Sequence, residues 1–314
     1  MLRILFAGIL AARVLAAASL FVLSGQVPTE TPVTVALYGA TSPFSDATLT
    51  DTEGHFQFKK LLAGTYTLAV FVPARGEART TVEVGPGTAD ARGRVALAWD
   101  LKDSDFAFGD IIQRRNAVST RQLAIPEKAW REYHEAQKDL GRRNSDSAVA
   151  HLERAVELAP QFAVAWNNLG TIAYQTQKYP RAEECFQRAL EQDPQTYEAL
   201  VNLGGVEITL GKTKEALDYN LRAVLERPND ALANSQLGMT YFALGNFDLG
   251  EKYLETARQI DPSHFSHPQL LLAEIHKRRH EWRRAADDLE DFLNHHPDWP
   301  NAAKTREEIA RLRQ

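Results

Sequence analysis

Sulfur is scarce in this 314-residue chain, which has one cysteine, Cys185, and two methionines. One cysteine forms no intrachain disulfide, and no cysteine stands behind the apolar N-terminus to carry a lipid. An excess of basic charge is also missing, since 36 Lys and Arg face 41 Asp and Glu for a net charge of −5. Residues 127–314 carry 24 basic against 30 acidic side chains, and the stretch before them 12 against 11. Neither part has the basic stripe that displaces counterions from phosphates, so nucleic acid is excluded as a general partner. There is no G-x-S-x-G, phosphate loop or dinucleotide fingerprint. Cys185 lies between Glu184 and Phe186, where an acidic neighbour blunts a thiol. The chain therefore reads as a non-enzyme without cofactor.

The first residues have the form of an export signal: Arg3, an apolar run from Ile4 to Ala12, and an A-x-A site at Ala16-Ala17-Ala18. Cleavage is expected after Ala18, which implies a bacterial periplasmic or secreted protein. The alternative is an inner-membrane anchor over 4–23, the only route to membrane contact. Arg13 in its middle opposes that by roughly 2.5–3.5 kcal/mol.

From Leu20 to Leu101 the apolar residues alternate with period two, broken every eight to twelve residues by Gly, Pro or Asp. The predicted strands are 20–27, 33–38, 47–50, 55–58, 65–72, 79–84 and 94–99, with Tyr66, Leu68 and Val70 on one core face. Seven short strands at this spacing imply a sandwich. Asp51-Thr52-Glu53-Gly54-His55-Phe56 precedes Leu62-Ala63-Gly64-Thr65-Tyr66. Asp51 can cap a tight turn and Gly54 can supply its positive φ, a better account of the acidic residues than a calcium loop. This pattern resembles the carboxypeptidase regulatory-like domain, which implies a transthyretin-like β-sandwich over 19–101.

Periodicity fails between Asp100 and Ile125, and 102–125 is expected to be a linker that Phe106, Phe108, Ile111 and Ile112 can dock. Pro126 then suits the first position of a helix.

Pro160, Pro194, Pro228 and Pro262 are each 34 residues apart, and Pro297 follows after 35. Five residues before them stand Ala155, Ala189, Ala223, Ala257 and Phe292. Leu169-Gly170, Leu203-Gly204, Leu237-Gly238 and Leu272-Ala273 recur on the preceding helices, with Leu152, Phe186, Leu254 and Leu289 between. Such a period denotes stacked helical hairpins, in which small residues permit close approach and proline ends the second helix. The pattern is similar to the tetratricopeptide repeat (TPR). The resemblance implies an α-solenoid over 126–314 with about five repeats and a capping helix at Ala302–Leu312. The fold class expected is thus multi-domain, all-β plus all-α, with each unit burying its own core. Departures stand at Glu132 and Glu135, at Asn220 and at Phe292, where less regular packing is expected.

TPR arrays offer the first helix of each hairpin to a concave groove. Carried over one unit at a time, this implies a ligand-binding groove of Asn167, Thr171 and Tyr174, then Val201, Gly205 and Ile208, then Ser235, Met239 and Phe242. The same positions can instead pack against the next unit. A basic patch of Lys277, Arg278, Arg279, Arg283 and Arg284 could take an acidic peptide, although Asp287, Asp288, Glu290 and Asp291 can neutralise it. His276 and His280 stand at i and i+4, but the cations between them argue against a metal. The function implied is a scaffold or adaptor for a protein or peptide of unknown identity. The alternative is carbohydrate binding by the β-sandwich, for which Trp99 and Tyr38 are the candidate stacking rings.

Overall fold

The computed structural model describes residues 19–29, 31–73, 75–102, 105–106 and 124–314. The signal segment, Phe108, Ile111 and Ile112 lie outside the described residues. Seven strands come first: β1 (Phe21–Gln26), β2 (Thr34–Gly39), β3 (Ser45–Leu49), β4 (His55–Leu61), β5 (Gly64–Val72), β6 (Gly76–Val84) and β7 (Arg94–Ala98). They make a three-stranded sheet in the order β4-β1-β7 and a four-stranded sheet in the order β3-β2-β5-β6. The pairing is antiparallel except between β1 and β7, the first and last strands, which run parallel.

One apolar core lies between these sheets. Leu23 of β1, Leu37 of β2, Phe56 and Phe58 of β4, Tyr66, Leu68 and Val70 of β5, and Val82 and Val84 of β6 are all buried in it. Phe106 joins the same core and bridges to Ala78, so the start of the linker is part of the β unit. Each sheet turn explains its own sequence. The Asp51 carboxylate accepts the backbone N–H groups of Glu53 and His55 at 2.9 and 2.8 Å, while Gly54 has φ +82°. The segment Asp90-Ala91-Arg92-Gly93-Arg94 repeats the device, with Asp90 accepting from Arg92 and Arg94 and Gly93 at φ +72°.

Eleven helices follow among the described residues: α1 (Glu127–Gly141), α2 (Ser145–Leu158), α3 (Ala163–Gln175), α4 (Tyr179–Gln192), α5 (Tyr197–Thr209), α6 (Thr213–Glu226), α7 (Ala231–Ala243), α8 (Phe247–Ile260), α9 (Pro268–Arg278), α10 (Trp282–His295) and α11 (Ala302–Leu312). They form five hairpins and a final helix. Each second helix stops two residues before its periodic proline, as a missing N–H and a ring clash require. Ala155, Ala189, Ala223 and Ala257 have no exposed surface, and the Phe186 ring lies where a side chain at Gly170 would have to go. The small residues therefore mark close helix approach.

A second recurrence had no sequence signature. Arg143, Gln177, Gly211, Gly245 and His280, one per hairpin, all adopt left-handed φ between 60° and 77° just after the first helix. This is the conformation that ends helices and that glycine adopts most cheaply, yet only two of the five are glycine.

The units with unusual residues are closed by other contacts. In the first, Glu132 pairs with His151 at 2.7 Å, Tyr133 packs tilted on the buried Phe162 ring, and Trp130 meets that ring edge-on from the surface. In the third, Asn220 is fully buried and donates to Thr240 at 3.0 Å. In the fifth, the Phe292 ring packs among His267, His296 and Trp299. Helix α11 covers the last hairpin by placing Ile309 against Ala285, Ala286 and Leu289.

Candidate functional site

Successive first helices touch one another, α3 on α5, α5 on α7 and α7 on α9. In a curved stack the elements that approach each other line the inner side, so the odd-numbered helices form the inner face. Side chains stitch this face together. Asn202 donates to Asn167 at 3.2 Å, the Tyr174 and Thr209 hydroxyls lie 3.3 Å apart, and Ser266 donates to Ser235 at 2.7 Å.

The nine groove positions divide into two sets. Asn167, Val201, Gly205 and Ser235 are buried between first helices, where the Gln236 amide fills the space beside Gly205. Thr171 returns its hydroxyl to the Asn167 carbonyl. These serve the stack. Tyr174, Ile208, Met239 and Phe242 stand further along each helix, and Tyr174 keeps 39% of its surface exposed. Phe242 packs partly on Leu254, Leu272 and Ile275, with Phe247 at 5.6 Å and the Arg278 guanidinium at 5.2 Å. An apolar strip therefore runs past the C-terminal ends of α3, α5 and α7.

Four of the five residues of the basic patch are ion-paired within the chain. Lys277 meets Glu274 and Glu308, Arg278 meets Glu274, Arg279 meets Asp248 and Glu251, and Arg284 meets Glu251 and Glu281. Burial pushes the Glu251 carboxyl up, but hydrogen bonds from Arg279, His276 and Arg284 outweigh it and hold it at about 2. His276 is buried with its nitrogens 2.6 Å from Asp288 and 3.1 Å from Glu251. His280 sits outside that network, in a left-handed turn against the Trp282 ring. The i, i+4 pair is thus split between two environments. Cys185 is buried, and burial pushes its thiol up to about 11, far from a nucleophile's range. Trp99 packs against the β core, while Tyr38 stands on the opposite face of its sheet, on the side of the array, with 43% of its surface exposed.

The β unit lies against the helical array through contacts between residues far apart in the chain. Alternation puts Ala69 and Thr81 on the face of the four-stranded sheet opposite its core, yet they are only 5% and 7% exposed. Side chains of β6 account for this. Arg79 pairs with Glu198 at 3.1 Å at the start of α5, and Glu198 also faces Arg227, whose guanidinium covers the Tyr197 ring at 3.4 Å. The Thr81 N–H donates to Asp261 at 2.9 Å, and Glu83 meets His296 at 2.8 Å. Beyond the strand, the Gly87 N–H donates to both oxygens of Asp298, at 2.8 and 3.0 Å. At the other end of the sheet, Gln175 donates to the Gly39 carbonyl at 2.9 Å, and Arg143 donates to the Tyr66 hydroxyl at 3.0 Å with its guanidinium over Phe44. Apart from Tyr66, which alternation and the motif assigned to the core, these residues carry no periodic or motif signal, so a reading by spacing does not find them.

Residues 135–261 match the family described as the Cilia and flagella-associated protein 70 middle TPR-like domain. The Cell division cycle protein 16 homolog of Homo sapiens is 32% identical over 123 residues, which is 36% of this chain and 20% of that protein. The Protein STIP1 homolog of Dictyostelium discoideum is 28% identical over 103 residues, 33% of this chain and 18% of that protein. The matched region thus spans about a fifth of the length of these relatives. Among solved structures, MamA 41-end from Desulfovibrio magneticus RS-1 is 21% identical with a TM-score of 0.50, covering 56% of this chain and 99% of that one. Following a small region of β-sheet, the helical array of this chain is a TPR-like domain.

Proposed function

We propose that this protein is a non-enzymatic, exported scaffold that holds a protein or peptide on the inner face of its TPR-like array. The observation that carries this reading is the apolar strip of Tyr174, Ile208, Met239 and Phe242. Tyr174, Ile208 and Phe242 recur on successive first helices at 34-residue spacing, with Met239 one turn before Phe242, and the Tyr174 ring stays accessible. Such a strip suits an amphipathic helix or an apolar strand. The β unit, proposed to be a transthyretin-like sandwich over 19–101, serves as a second module of the scaffold, with 102–125 as linker and 126–314 as the array. Periplasmic or secreted location rests on the signal pattern of residues 1–18. With the full chain as bait in envelope extract, Tyr174→Ala is expected to lose a captured band while staying folded with a modestly lowered melting point. The same bands from both baits would overturn the proposal. N-terminal sequencing of the native protein should begin at Ser19, and an intact Met1 in the membrane pellet would refute export by cleavage.

A further inference from the structure

The scaffold reading leaves unexplained why the edge strand β6 runs along the array. β6 is the outer strand of its sheet, and an outer strand carries unpaired N–H groups that seek a partner. Here the partners are carboxylates of successive hairpins. Glu198 takes the Arg79 guanidinium, Asp261 takes the Thr81 N–H, and Asp298 takes the Gly87 N–H. The alternate residues Arg79, Thr81 and Glu83 of the extended strand are thus held by the third hairpin, the loop after the fourth and His296 at the end of the fifth, and Gly87 in the turn that follows is held by Asp298. The extended segment is thus gripped at one main-chain donor and at the side chains two residues to either side of it, a pattern that reads both backbone extension and side-chain charge. His296 reinforces the assignment, being 2% exposed with one nitrogen on Glu83 and the other, Nε2, without a hydrogen-bond partner.

We propose that the inner rim formed by Glu198, Asp261, His296 and Asp298 is a strand-receiving surface, and that the chain's own β6 occupies it as a tethered ligand. The external partner it fits is an extended segment with an arginine or lysine two residues before a free main-chain N–H. Such a segment must displace β6, so the β unit keeps the rim closed. The proposal rests on the scaffold reading and gives a chemistry to part of its surface.

A disulfide lock tests it. A β-carbon built at Gly85 lies 3.8 Å from the Asp298 β-carbon, within the roughly 3.5–4.5 Å that a disulfide needs. Cys185 is buried and does not compete. The full chain carrying Gly85→Cys and Asp298→Cys is probed with a fluorescent peptide of residues 76–88. With Arg79→Ala also in place to loosen the tether, the reduced form is expected to bind the peptide at least tenfold more tightly than the wild type, and mild oxidation is expected to abolish binding. Arg79→Ala, which opens the place beside Glu198, should likewise gain at least tenfold, and a peptide lacking its own arginine should lose that gain. Failure of the two cysteines to cross-link overturns the proposal, as does equal binding by the oxidised and reduced forms. Absence of peptide binding to both the reduced double variant and a folded Arg79→Ala also overturns it. If Tyr174-dependent capture persists in that case, the scaffold reading stands and the rim assignment alone falls.

Discussion

The Asp261 carboxylate accepts the Thr81 backbone N–H at 2.9 Å across 180 residues of chain. Both residues are buried, so the bond ends an exposed strand edge and ties the β unit to the loop after the fourth hairpin. A carboxylate bound to a main-chain N–H is among the stronger neutral-to-charged contacts, and losing it strands the donor.

Asp261→Ala is therefore expected to destabilise the protein by about 1–3 kcal/mol, the cost of a buried N–H left without an acceptor. Asp261→Asn keeps an acceptor oxygen and should cost less. Urea unfolding of both variants checks the order, and amide exchange at Thr81 should accelerate in the alanine variant first.

Gln177→Gly should stabilise the chain. Gln177 is an exposed residue at φ +61°, whereas the equivalent positions in the third and fourth hairpins are Gly211 and Gly245. A left-handed conformation costs a residue with a β-carbon roughly 1–2 kcal/mol, part of which glycine returns as unfolded-state entropy, so a net gain of about 0.5–1 kcal/mol is expected. A thermal melt with unchanged or lower midpoint would contradict this account of the turn.

Gly54→Ala should act in the opposite direction. Its φ of +82° disfavours any β-carbon, and that carbon would also press on the Val27 carbonyl. A loss of about 2 kcal/mol or more is expected from strain and collision together, read as a lower melting point of the full chain.

Acid should loosen the last hairpin of the array. Burial, helped by the nearby His296, lowers the His267 pKa to about 4 from an ordinary value of 6.5. Its ring packs among Phe292, His296 and Trp299, with His264 and Glu83 the other titratable groups acting on it. The unfolded chain then binds the extra proton between pH 6.5 and 4, so stability falls as pH falls through that window. His267→Asn, a residue that tolerates the left-handed φ of +52° found there, should flatten the slope between pH 6.5 and 4. Chemical denaturation at a series of pH values measures it. Glu251, held at about 2, adds a separate loss that begins below its ordinary 4.5 and completes near 2.

Phe242→Ala should cost roughly half of the 3–5 kcal/mol of a fully buried phenylalanine, because the ring is only partly buried against Leu254, Leu272 and Ile275. A larger loss would mean that the ring belongs to the core of its hairpin rather than to an accessible strip. Thermal unfolding beside the capture experiment separates the two.

Local pattern determined the repeated and the alternating parts of this protein. The 34-residue proline period set where α2, α4, α6 and α8 end, because a proline acts on its own helix, and alternation in β5 put Tyr66, Leu68 and Val70 in one core. The turn at Asp51 was legible for the same reason, since its donors lie within four residues. Of the groove residues, spacing gave the helix face but not the burial, which depends on how far each hairpin rotates onto the next. Val201 and Ser235 became packing while Tyr174 stayed accessible. Nothing local specified the pairings of Arg79 with Glu198, Thr81 with Asp261 or Gly87 with Asp298. Each joins residues more than 100 positions apart, and a carboxylate in a loop carries no mark of the N–H it will meet. Only the stacking of the hairpins brings those carboxylates into a row along β6 and the turn that follows it.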